Sequence, residues 1–248
     1  MILTIISLWY IIIISKICWE ENKVGWPVMI HHRLIPYVIT HLILSTIQLL
    51  YLVPLYIIGK FYGELDIMKH MSYNFSLCLW LFWGKITWEG LENIPSEKCI
   101  WVANHQSILD MAIMTLLPCS TSLVGTAKSN IKYVPIAGLL SIMCNTILID
   151  RNSKDSAKKF INMSIIALKN GNSINIFPQG TRKYGDPPRP FKYGAFNLSA
   201  LTKVPILPYR IIYDNNFNIN IQIYPPLKVE GFTSLELLTK SYNIIYGK

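Results

Sequence analysis

A histidine and an aspartate in one short stretch of the chain could do acid–base chemistry. His105 and Asp110 lie in "VANHQSILDM", where the histidine ends a predicted strand and the aspartate lies near the start of a predicted helix. An imidazole held by a carboxylate can remove a proton from a hydroxyl, which makes the pair a candidate general base. The spacing from Ser107 to Asp110 also fits a helix capping box, so a purely structural role for the aspartate stays open.

Basic residues and a glycine follow other predicted strands. These are Lys128 after "SLVGTA", Arg151 after "NTILID", and Gly180, Thr181 and Arg182 after "SINIFPQ". Because the carboxyl ends of parallel strands meet at one edge of a sheet, we expect these groups near His105. Arginine binds phosphate through two parallel hydrogen bonds, and glycine lets backbone N–H groups approach an anion. The pattern therefore predicts a phosphate pocket beside the histidine.

The elements that must position these residues begin at Lys85. Short β-rich runs such as "KCIWVANH" and "SINIFP" alternate there with helical runs such as "ILDMAIMTLL" and "SAKKFINMSIIALKNG". This alternation predicts an α/β fold, a largely parallel central sheet flanked by helices, with a more irregular C-terminal edge. The run "TSLELLTKSYNIIY" is predicted to be an amphipathic helix that docks on this domain or on a membrane.

Two apolar segments precede this domain. Ile2 to Cys18 has neither a basic region before it nor a small-residue cleavage site after it, so we do not interpret it as a cleaved signal peptide. Leu34 to Ile58 carries no charged residue and exceeds the roughly 20 residues that span a bilayer. The chain is therefore divided into N-terminal hydrophobic helices that anchor it to a membrane, residues 1–60, and an α/β domain, residues 61–248.

The charges between these segments bear on how they meet the bilayer. Lys16, Lys23 and Arg33 would lie outside the cell if both segments crossed as a hairpin with the α/β domain in the cytoplasm, against the usual distribution of positive charge. We therefore expect at least one helix to lie shallowly or to re-enter. A third apolar run, Phe75 to Gly84, is too short to span, and either the lipid interface or the core could hold it.

Composition limits the class of partner. The net charge is +9, with 52% hydrophobic and 15% charged residues, and the mean hydropathy is +0.34. These values suit a protein that sits on anionic lipid or binds phosphorylated substrates, although nucleic acid is another usual partner of basic proteins. The five cysteines are scattered, without metal-ligand spacing, so neither a metal site nor a disulfide framework is predicted.

Four ordered blocks carry a resemblance to a known family. They are "NHQSILD" at 104–110, "ILIDR" at 147–151, "FPQGTR" at 177–182 and "VPILP" at 204–208. The chain resembles the glycerolipid acyltransferases whose signature is asparagine, histidine, four residues and aspartate, over roughly residues 85–225. Within that family it looks most like the bacterial 1-acylglycerol-3-phosphate O-acyltransferases, which make phosphatidic acid.

The resemblance implies roles for the residues. His105 would act as general base on the free hydroxyl of lysophosphatidic acid, Asp110 would orient the imidazole, and no serine or cysteine nucleophile would be needed. The implied phosphate ligands are Arg151, Arg182, Gly180 and Thr181, with Lys128 a weaker candidate. The implied supporting residues are Asn104, Pro178, Gln179 and Pro205.

The resemblance also implies partners and a location. An acyl carrier protein or coenzyme A thioester would supply the acyl group, without a metal or other cofactor and without nucleic acid. Because acceptor and product are lipids, the expected location is a membrane, the bacterial inner membrane with the catalytic domain on the cytoplasmic side. The alternatives are an acyltransferase for another lysophospholipid or polar lipid, and a non-catalytic membrane lipid-binding protein.

One position departs from the family pattern. Gln179 stands where the third block usually has glutamate. The change would be serious if this side chain transferred a proton, because an amide cannot, and mild if it only accepts hydrogen bonds. Since His105 and Asp110 are both present, we favour the mild interpretation.

Overall fold

A computed structural model of the chain describes residues 31–62, 67–134, 136–150, 155–185 and 187–247, together with Ser15 and Trp19. Apart from Ser15, the predicted segment Ile2 to Cys18 lies outside the described residues, as do Lys16, Lys23 and Arg151.

Two long helices lead into the domain. Helix α1 (His31–Tyr62) contains the whole predicted membrane segment, and helix α2 (Ile67–Phe82) follows it. Pro36 and Pro54 both lie inside α1, and neither has an N–H group to donate to the preceding turn. The two helices contact each other, and α2 contacts the first helix of the α/β domain.

In the described part of the chain, the sheets are built from eight short strands. They are β1 (Ile86–Glu89), β2 (Ile100–Ala103), β3 (Leu123–Val124), β4 (Thr126–Lys128), β5 (Ile147–Ile149), β6 (Ser173–Ile176), β7 (Ile206–Tyr213) and β8 (Ile219–Ile223). The main sheet has the order β1-β8-β7-β2-β6-β3. Neighbours among β7, β2, β6 and β3 are parallel, whereas β8 is antiparallel to β7 and parallel to β1. The predicted largely parallel sheet is confirmed. At its reversed edge, β8 is C-terminal and β1 is not.

One predicted strand is divided between two sheets. The run "SLVGTA" breaks at Gly125, so that Leu123 pairs with Ser173 in the main sheet. Thr126, just beyond the break, pairs with Ile147 in a separate sheet formed by β4 and β5. The carboxyl end of β5 therefore belongs to this second sheet, not to the row of main-sheet strands that ends at the His105 loop.

Five further helices flank the sheets. They are α3 (Leu109–Leu116), α4 (Ala137–Met143), α5 (Ser156–Lys169), α6 (Gly194–Thr202) and α7 (Ser234–Tyr246), with 3-10 turns at Leu91–Asn93 and Ser129–Tyr133. Helix α7 begins with a capping box formed by Thr233 and Glu236. It contacts α6 and β7 and buries Leu237 and Ile245, so the predicted amphipathic helix docks on the domain.

The main sheet separates two apolar cores. On one face, which we call the hairpin face, residues of α1, α2 and α3 such as Leu34, Leu79 and Ile113 pack together. On the other, the α7 face, residues of α5, α6 and α7 such as Phe160, Phe196 and Leu237 form the second core. Successive side chains of a strand point to opposite faces. On β7, Tyr209 and Ile211 accordingly join the hairpin face, and Ile206 joins the α7 face.

Helix α1 touches the domain along its length. Near its start, Tyr37 and Val38 lie in the hairpin-face core, and the Arg33 guanidinium lies 4.1 Å from the centre of the Phe217 ring. Further along, Leu52 packs with Leu140 and Met143, which belong to α4. The segment Arg33–Gly59 is long and apolar enough to cross a membrane. The helix is about 48 Å long. Its contacts nevertheless hold it against the domain, so that it does not project away.

The outer side of both helices is apolar and exposed. On α1, exposed isoleucines recur every fourth residue, at Ile35, Ile39, Ile43 and Ile47. The predicted run Phe75 to Gly84 falls mostly in α2 and is divided by side: Cys78, Leu79 and Trp83 are buried, whereas Leu77, Trp80 and Leu81 are exposed. One side of this helix is therefore in the core, and the lipid interface stays a prediction for its exposed side.

Candidate active site

His105 and Asp110 form a hydrogen-bonded pair in the loop from β2 to α3. The Nδ1 atom of His105 lies 2.7 Å from Oδ2 of Asp110, and the imidazole stacks on Phe177 with ring centroids 4.3 Å apart. The histidine side chain is 15% exposed and the aspartate is fully buried. Among the described residues Nε2 has no hydrogen-bond partner. The carboxylate thus occupies one ring nitrogen and leaves the other for a substrate.

Asp110 is held by several donors besides the imidazole. Its Oδ2 accepts from the backbone N–H groups of Gln106 at 2.6 Å and Ser107 at 3.0 Å, and its Oδ1 accepts from the hydroxyl of Tyr213. A buried carboxylate is costly unless hydrogen bonds replace its water, and these donors do so. The aspartate is therefore fixed independently of the histidine.

The predicted capping box is half formed. The Asp110 carboxylate reaches back to the Ser107 N–H as a capping box requires, but the serine hydroxyl accepts from the N–H of Leu109 at 3.2 Å. One oxygen of Asp110 thus organises the start of α3 and orients the imidazole. The sequence left a structural role and a chemical role for this aspartate as alternatives. In the structure, the same oxygen atom, Oδ2, has the contacts for both roles.

A phenol lies close to this pair in the core. Burial and the nearby charge of Asp110 raise the pKa of Tyr209 well above its ordinary value. Its hydroxyl donates to Oδ1 of Asn175 at 2.7 Å. Tyr209 is therefore a neutral supporting group rather than a second acid.

Asn104 joins the loop to the neighbouring strand. Its side chain donates to the carbonyl of Ile211 and accepts from the N–H of the same residue, both at 2.8 Å, and it is buried. The side chain of Gln106 donates to that carbonyl as well, at 2.8 Å. These contacts fix the His105 loop against β7.

Gln179 contacts the backbone of the histidine. Its side-chain oxygen accepts a hydrogen bond from the N–H of His105, and the residue is 3% exposed. This contact needs an acceptor oxygen, which an amide and a carboxylate both provide. The neighbouring Pro178 is buried, and its carbonyl accepts from the N–H of Lys192 at 2.9 Å.

The turn after β6 lies against the His105 loop. Gly180 has φ +70°, a value that favours glycine, and a side chain there would meet the ammonium of Lys192 at 3.1 Å. The N–H of Lys183 donates to the carbonyl of His105 at 2.9 Å. Thr181, which is exposed, and Arg182, which is half-buried, lie between these two points. The turn is thus brought next to the histidine.

Two further predicted site residues lie outside the His105 loop and the turn after β6. Lys128 ends β4 in the second sheet, pairs with Ile149 and is exposed. Pro205 precedes β7, and its carbonyl accepts from the N–H of Ile100 at the start of β2, which is the opposite end of these strands from His105. Arg151 lies outside the described residues.

Three residues at the site were not predicted from the sequence. Phe177 stacks on the imidazole, Tyr213 donates to Asp110, and Lys192 covers the glycine of the turn. A signal existed for Lys192, whose block "FKYGA" follows the third motif, and for Tyr213, a hydroxyl-bearing residue that closes an apolar strand. In the part of the chain that the structure describes, no group of three His, Cys, Asp or Glu side chains could hold a metal ion.

This arrangement defines a class of site. A histidine oriented by a buried carboxylate, at the loop edge of an α/β sheet and beside a basic turn, is a general-base site suited to group transfer. Residues 85–212 match the family model described as Acyltransferase, and the chain belongs to that family.

Several known proteins are similar to the chain. It is 36% identical over 126 residues to the chloroplastic 1-acyl-sn-glycerol-3-phosphate acyltransferase BAT2 of Brassica napus, covering 50% of this chain and 36% of that protein. It is 33% identical over 149 residues to a 1-acyl-sn-glycerol-3-phosphate acyltransferase of Borreliella burgdorferi, covering 60% and 59%. The chain spans about half the length of the curated relatives that it matches.

A solved structure shares the fold. The crystal structure of the 1-acyl-sn-glycerophosphate acyltransferase PlsC from Thermotoga maritima superposes with a TM-score of 0.65 at 22% identity. The superposition covers 86% of this chain and 94% of that one. The shared part therefore includes most of the described helices and strands.

Proposed function

We propose that this protein transfers a fatty acyl group from an acyl thioester to the free hydroxyl of 1-acylglycerol-3-phosphate, forming phosphatidic acid. The observation that carries the proposal is the His105–Asp110 pair, whose 2.7 Å contact leaves Nε2 for a substrate hydroxyl. The similar proteins described above, named for this activity, support the choice of acceptor.

The proposed reaction proceeds by direct attack. Nε2 of His105 takes the proton of the acceptor hydroxyl while its oxygen attacks the thioester carbonyl. Asp110 keeps the imidazole in the tautomer with the proton on Nδ1 and stabilises the imidazolium that forms. The tetrahedral intermediate collapses, the carbon–sulfur bond breaks, and the imidazolium returns the proton to the leaving thiolate. Neither a covalent acyl-enzyme nor a cofactor takes part in these reaction steps.

The acceptor phosphate is proposed to bind at the turn after β6. In the acceptor, two carbons separate the reacting hydroxyl from the phosphate ester, so the phosphate must bind close to Nε2. Gly180, Thr181 and Arg182 are the residues for this role, because the backbone hydrogen bond between Lys183 and His105 fixes the turn beside the histidine. Arg151 is proposed as a further ligand on the sequence pattern alone, and Lys128 as a weaker one.

The protein is proposed to act at a membrane surface. The exposed isoleucine row of α1 and the contacts of that helix with the domain favour a helix that lies in one leaflet. Residues 1–60 would form the membrane part and residues 61–248 the catalytic part, with α2 also meeting lipid. The proposed location is the cytoplasmic side of a bacterial inner membrane, where an acyl carrier protein or coenzyme A thioester is available.

The test is acyl transfer by purified protein in detergent. Wild type and His105→Ala are assayed with a radiolabelled acyl thioester, of coenzyme A or of acyl carrier protein, and with 1-acylglycerol-3-phosphate. His105→Ala should lower the rate by roughly 10²- to 10⁴-fold, the usual contribution of a general base.

The matched control is His70→Ala, which removes a histidine from α2 and should keep the rate. Other lysophospholipids are run as acceptors in parallel. Folded wild type that forms no phosphatidic acid from either donor would disprove the acceptor assignment, and transfer that persists in His105→Ala would disprove the mechanism.

A further inference from the structure

A cavity of about 250 Å³ lies against the His105 loop. Both neighbours of the histidine line it, and the loop after the third motif and helix α7 close it. The residues that line it include Gln106, Lys183, Tyr184, Arg210, Tyr213 and Tyr246. The proposed reaction uses neither Lys183 nor Arg210.

The described lining of the cavity carries positive charge. Lys183 and Arg210 line it, and none of its described lining residues is acidic. The ammonium of Lys183 contacts only a backbone carbonyl, that of Pro187, within the part of the chain that the structure describes. Arg210 is half-buried, and its side chain forms no hydrogen bond or ion pair with any described residue. A partly desolvated guanidinium with unused donors is a ready site for an anion, above all a phosphate.

The side chain of Arg210 points to one particular face of the sheet. Its strand neighbours Tyr209 and Ile211 point into the hairpin-face core, so alternation directs Arg210 to the α7 face, where Tyr246 of α7 also lines the cavity. The imidazole of His105 stacks on Phe177, a member of the hairpin-face core. Arg210 therefore lies on the side of the sheet away from the imidazole, and Ile211 and Tyr213 line the cavity from the other side of the same strand.

Arg210 and the acceptor site together select between two phosphates. The phosphate of a lysophosphatidic acid is two carbons from the reacting hydroxyl, and the turn after β6 is already proposed to hold it beside Nε2. The phosphate of a thioester donor is separated from its sulfur by a pantetheine arm with the length of roughly four extended residues, about 14 Å. Such a donor is also water-soluble, and the α7 face is the one without the exposed isoleucine row.

We propose that this cavity binds the phosphate of the phosphopantetheine arm of the acyl donor, with Arg210 and Lys183 as its ligands. The inference rests on the proposed acyl transfer. No bond forms or breaks in the cavity. The lipid acceptor would then occupy the turn after β6, and the soluble donor would approach His105 from the side of Arg210.

Binding of the isolated arm tests the proposal without turnover. Calorimetry compares 4′-phosphopantetheine with pantetheine, which lacks only the phosphate. Wild type should bind the phosphorylated arm roughly 10-fold more tightly, as expected for hydrogen bonds to a charged group. The preference should vanish in Arg210→Gln, shrink in Lys183→Gln and be kept in part by Arg210→Lys. Lys169→Gln, the same charge change at the far end of α5, should keep it fully.

Kinetics distinguish the two phosphates. In Arg210→Gln the KM for the acyl thioester should rise roughly 10-fold while the KM for 1-acylglycerol-3-phosphate and kcat stay near wild type. A rise in the acceptor KM instead would overturn the donor assignment, as would an unchanged preference for the phosphorylated arm in both variants. If Arg210→Gln does not fold by thermal melting, Lys183→Gln carries the test.

The two proposals fail differently. Arm binding that depends on Arg210, in protein that does not acylate 1-acylglycerol-3-phosphate, would remove the proposed acceptor and leave the cavity assignment intact. Acyl transfer in which the Arg210 and Lys183 variants change neither the donor KM nor the acceptor KM would remove the cavity assignment and leave the proposed acceptor intact.

Discussion

The two faces of the main sheet differ in what their helices expose. On the hairpin face, α1 carries four regularly spaced exposed isoleucines, and α2 adds Trp80 and Leu81. On the α7 face, exposed apolar residues such as Ile166 and Leu201 occur singly, as on any soluble protein. A continuous apolar row of this kind marks a surface that is covered in use. The contrast supports the proposed contact of the hairpin face with lipid.

The proposed chemistry lies where these faces meet. His105 and Asp110 belong to the loop from β2, and their contacts Phe177 and Tyr213 are members of the hairpin-face core. The α7 face instead supplies a closed core around Phe196 and Leu237, which stabilises the sheet. The hairpin face should therefore control catalysis and membrane binding, and the α7 face should control folding and, through Arg210, the proposed binding of the donor.

The largest expected effect is that of Asp110→Asn. The amide cannot hold the imidazole in the required tautomer, so kcat should fall by roughly 10⁴-fold, as for the aspartate of a serine protease triad. The measurement is the initial rate of phosphatidic acid formation. Asp155→Asn, an exposed aspartate beside α5 on the α7 face, is the matched control and should keep its rate. A near-normal rate in Asp110→Asn would end the assignment of chemistry to this loop.

The next effect concerns membrane binding. Ile43 and Ile47 are each 56% exposed on α1, and Ile166 is 59% exposed on α5. Burying one such side chain is worth roughly 1.5–3 kcal/mol, so Ile43→Glu with Ile47→Glu should weaken binding to anionic vesicles about 100-fold or more. Vesicle flotation measures this. Ile166→Glu should float like wild type, and equal losses in both proteins would contradict the difference between the faces.

Much of this fold could be predicted from local sequence patterns. The alternation of strand and helix runs predicts the α/β class, and the uncharged run 34–58 predicts the long helix α1. The break of "SLVGTA" at Gly125 could not be predicted, because it depends on which strands the two halves meet, Ser173 for one and Ile147 for the other. The reversed edge of the main sheet likewise follows from pairing between β7 and β8, which no single strand encodes.

The site divides in the same way. His105 and Asp110 are close because one loop holds both, so their spacing in the sequence was informative. Asp110 contacts Tyr213, which follows it by 103 positions, and His105 contacts Gln179, which follows it by 74 positions. No local sequence pattern reaches across such separations. The expectation that strand ends converge assumed one sheet, and the division that puts Lys128 in a second sheet is visible only in the strand pairing.

A smaller effect is expected for Tyr213→Phe. The change removes one of the donors to Asp110 and leaves the aromatic ring in the hairpin-face core. A hydrogen bond to a charged group is worth about 1.5–3 kcal/mol, which corresponds to a loss of roughly 10-fold or more in kcat if the carboxylate shifts. Tyr224→Phe, which loses a hydroxyl that donates to Gln222, is the control. Equal rates for the two variants would mean that the imidazole and the N–H groups of Gln106 and Ser107 position Asp110 without the phenol.

The smallest effect should be that of Gln179→Glu. The side-chain oxygen only accepts from the His105 N–H, and glutamate offers the same acceptor, so kcat/KM should stay within about 3-fold of wild type, a difference below roughly 1 kcal/mol. Gln179→Leu removes the acceptor and leaves a buried N–H unpaired, so it should cost about 1–3 kcal/mol. The pH dependence of kcat/KM decides between the two roles considered for this position. Because an acceptor transfers no proton, Gln179→Glu should keep the wild-type profile, whereas a new ionisation with a faster rate would show that a carboxylate there takes part in the reaction.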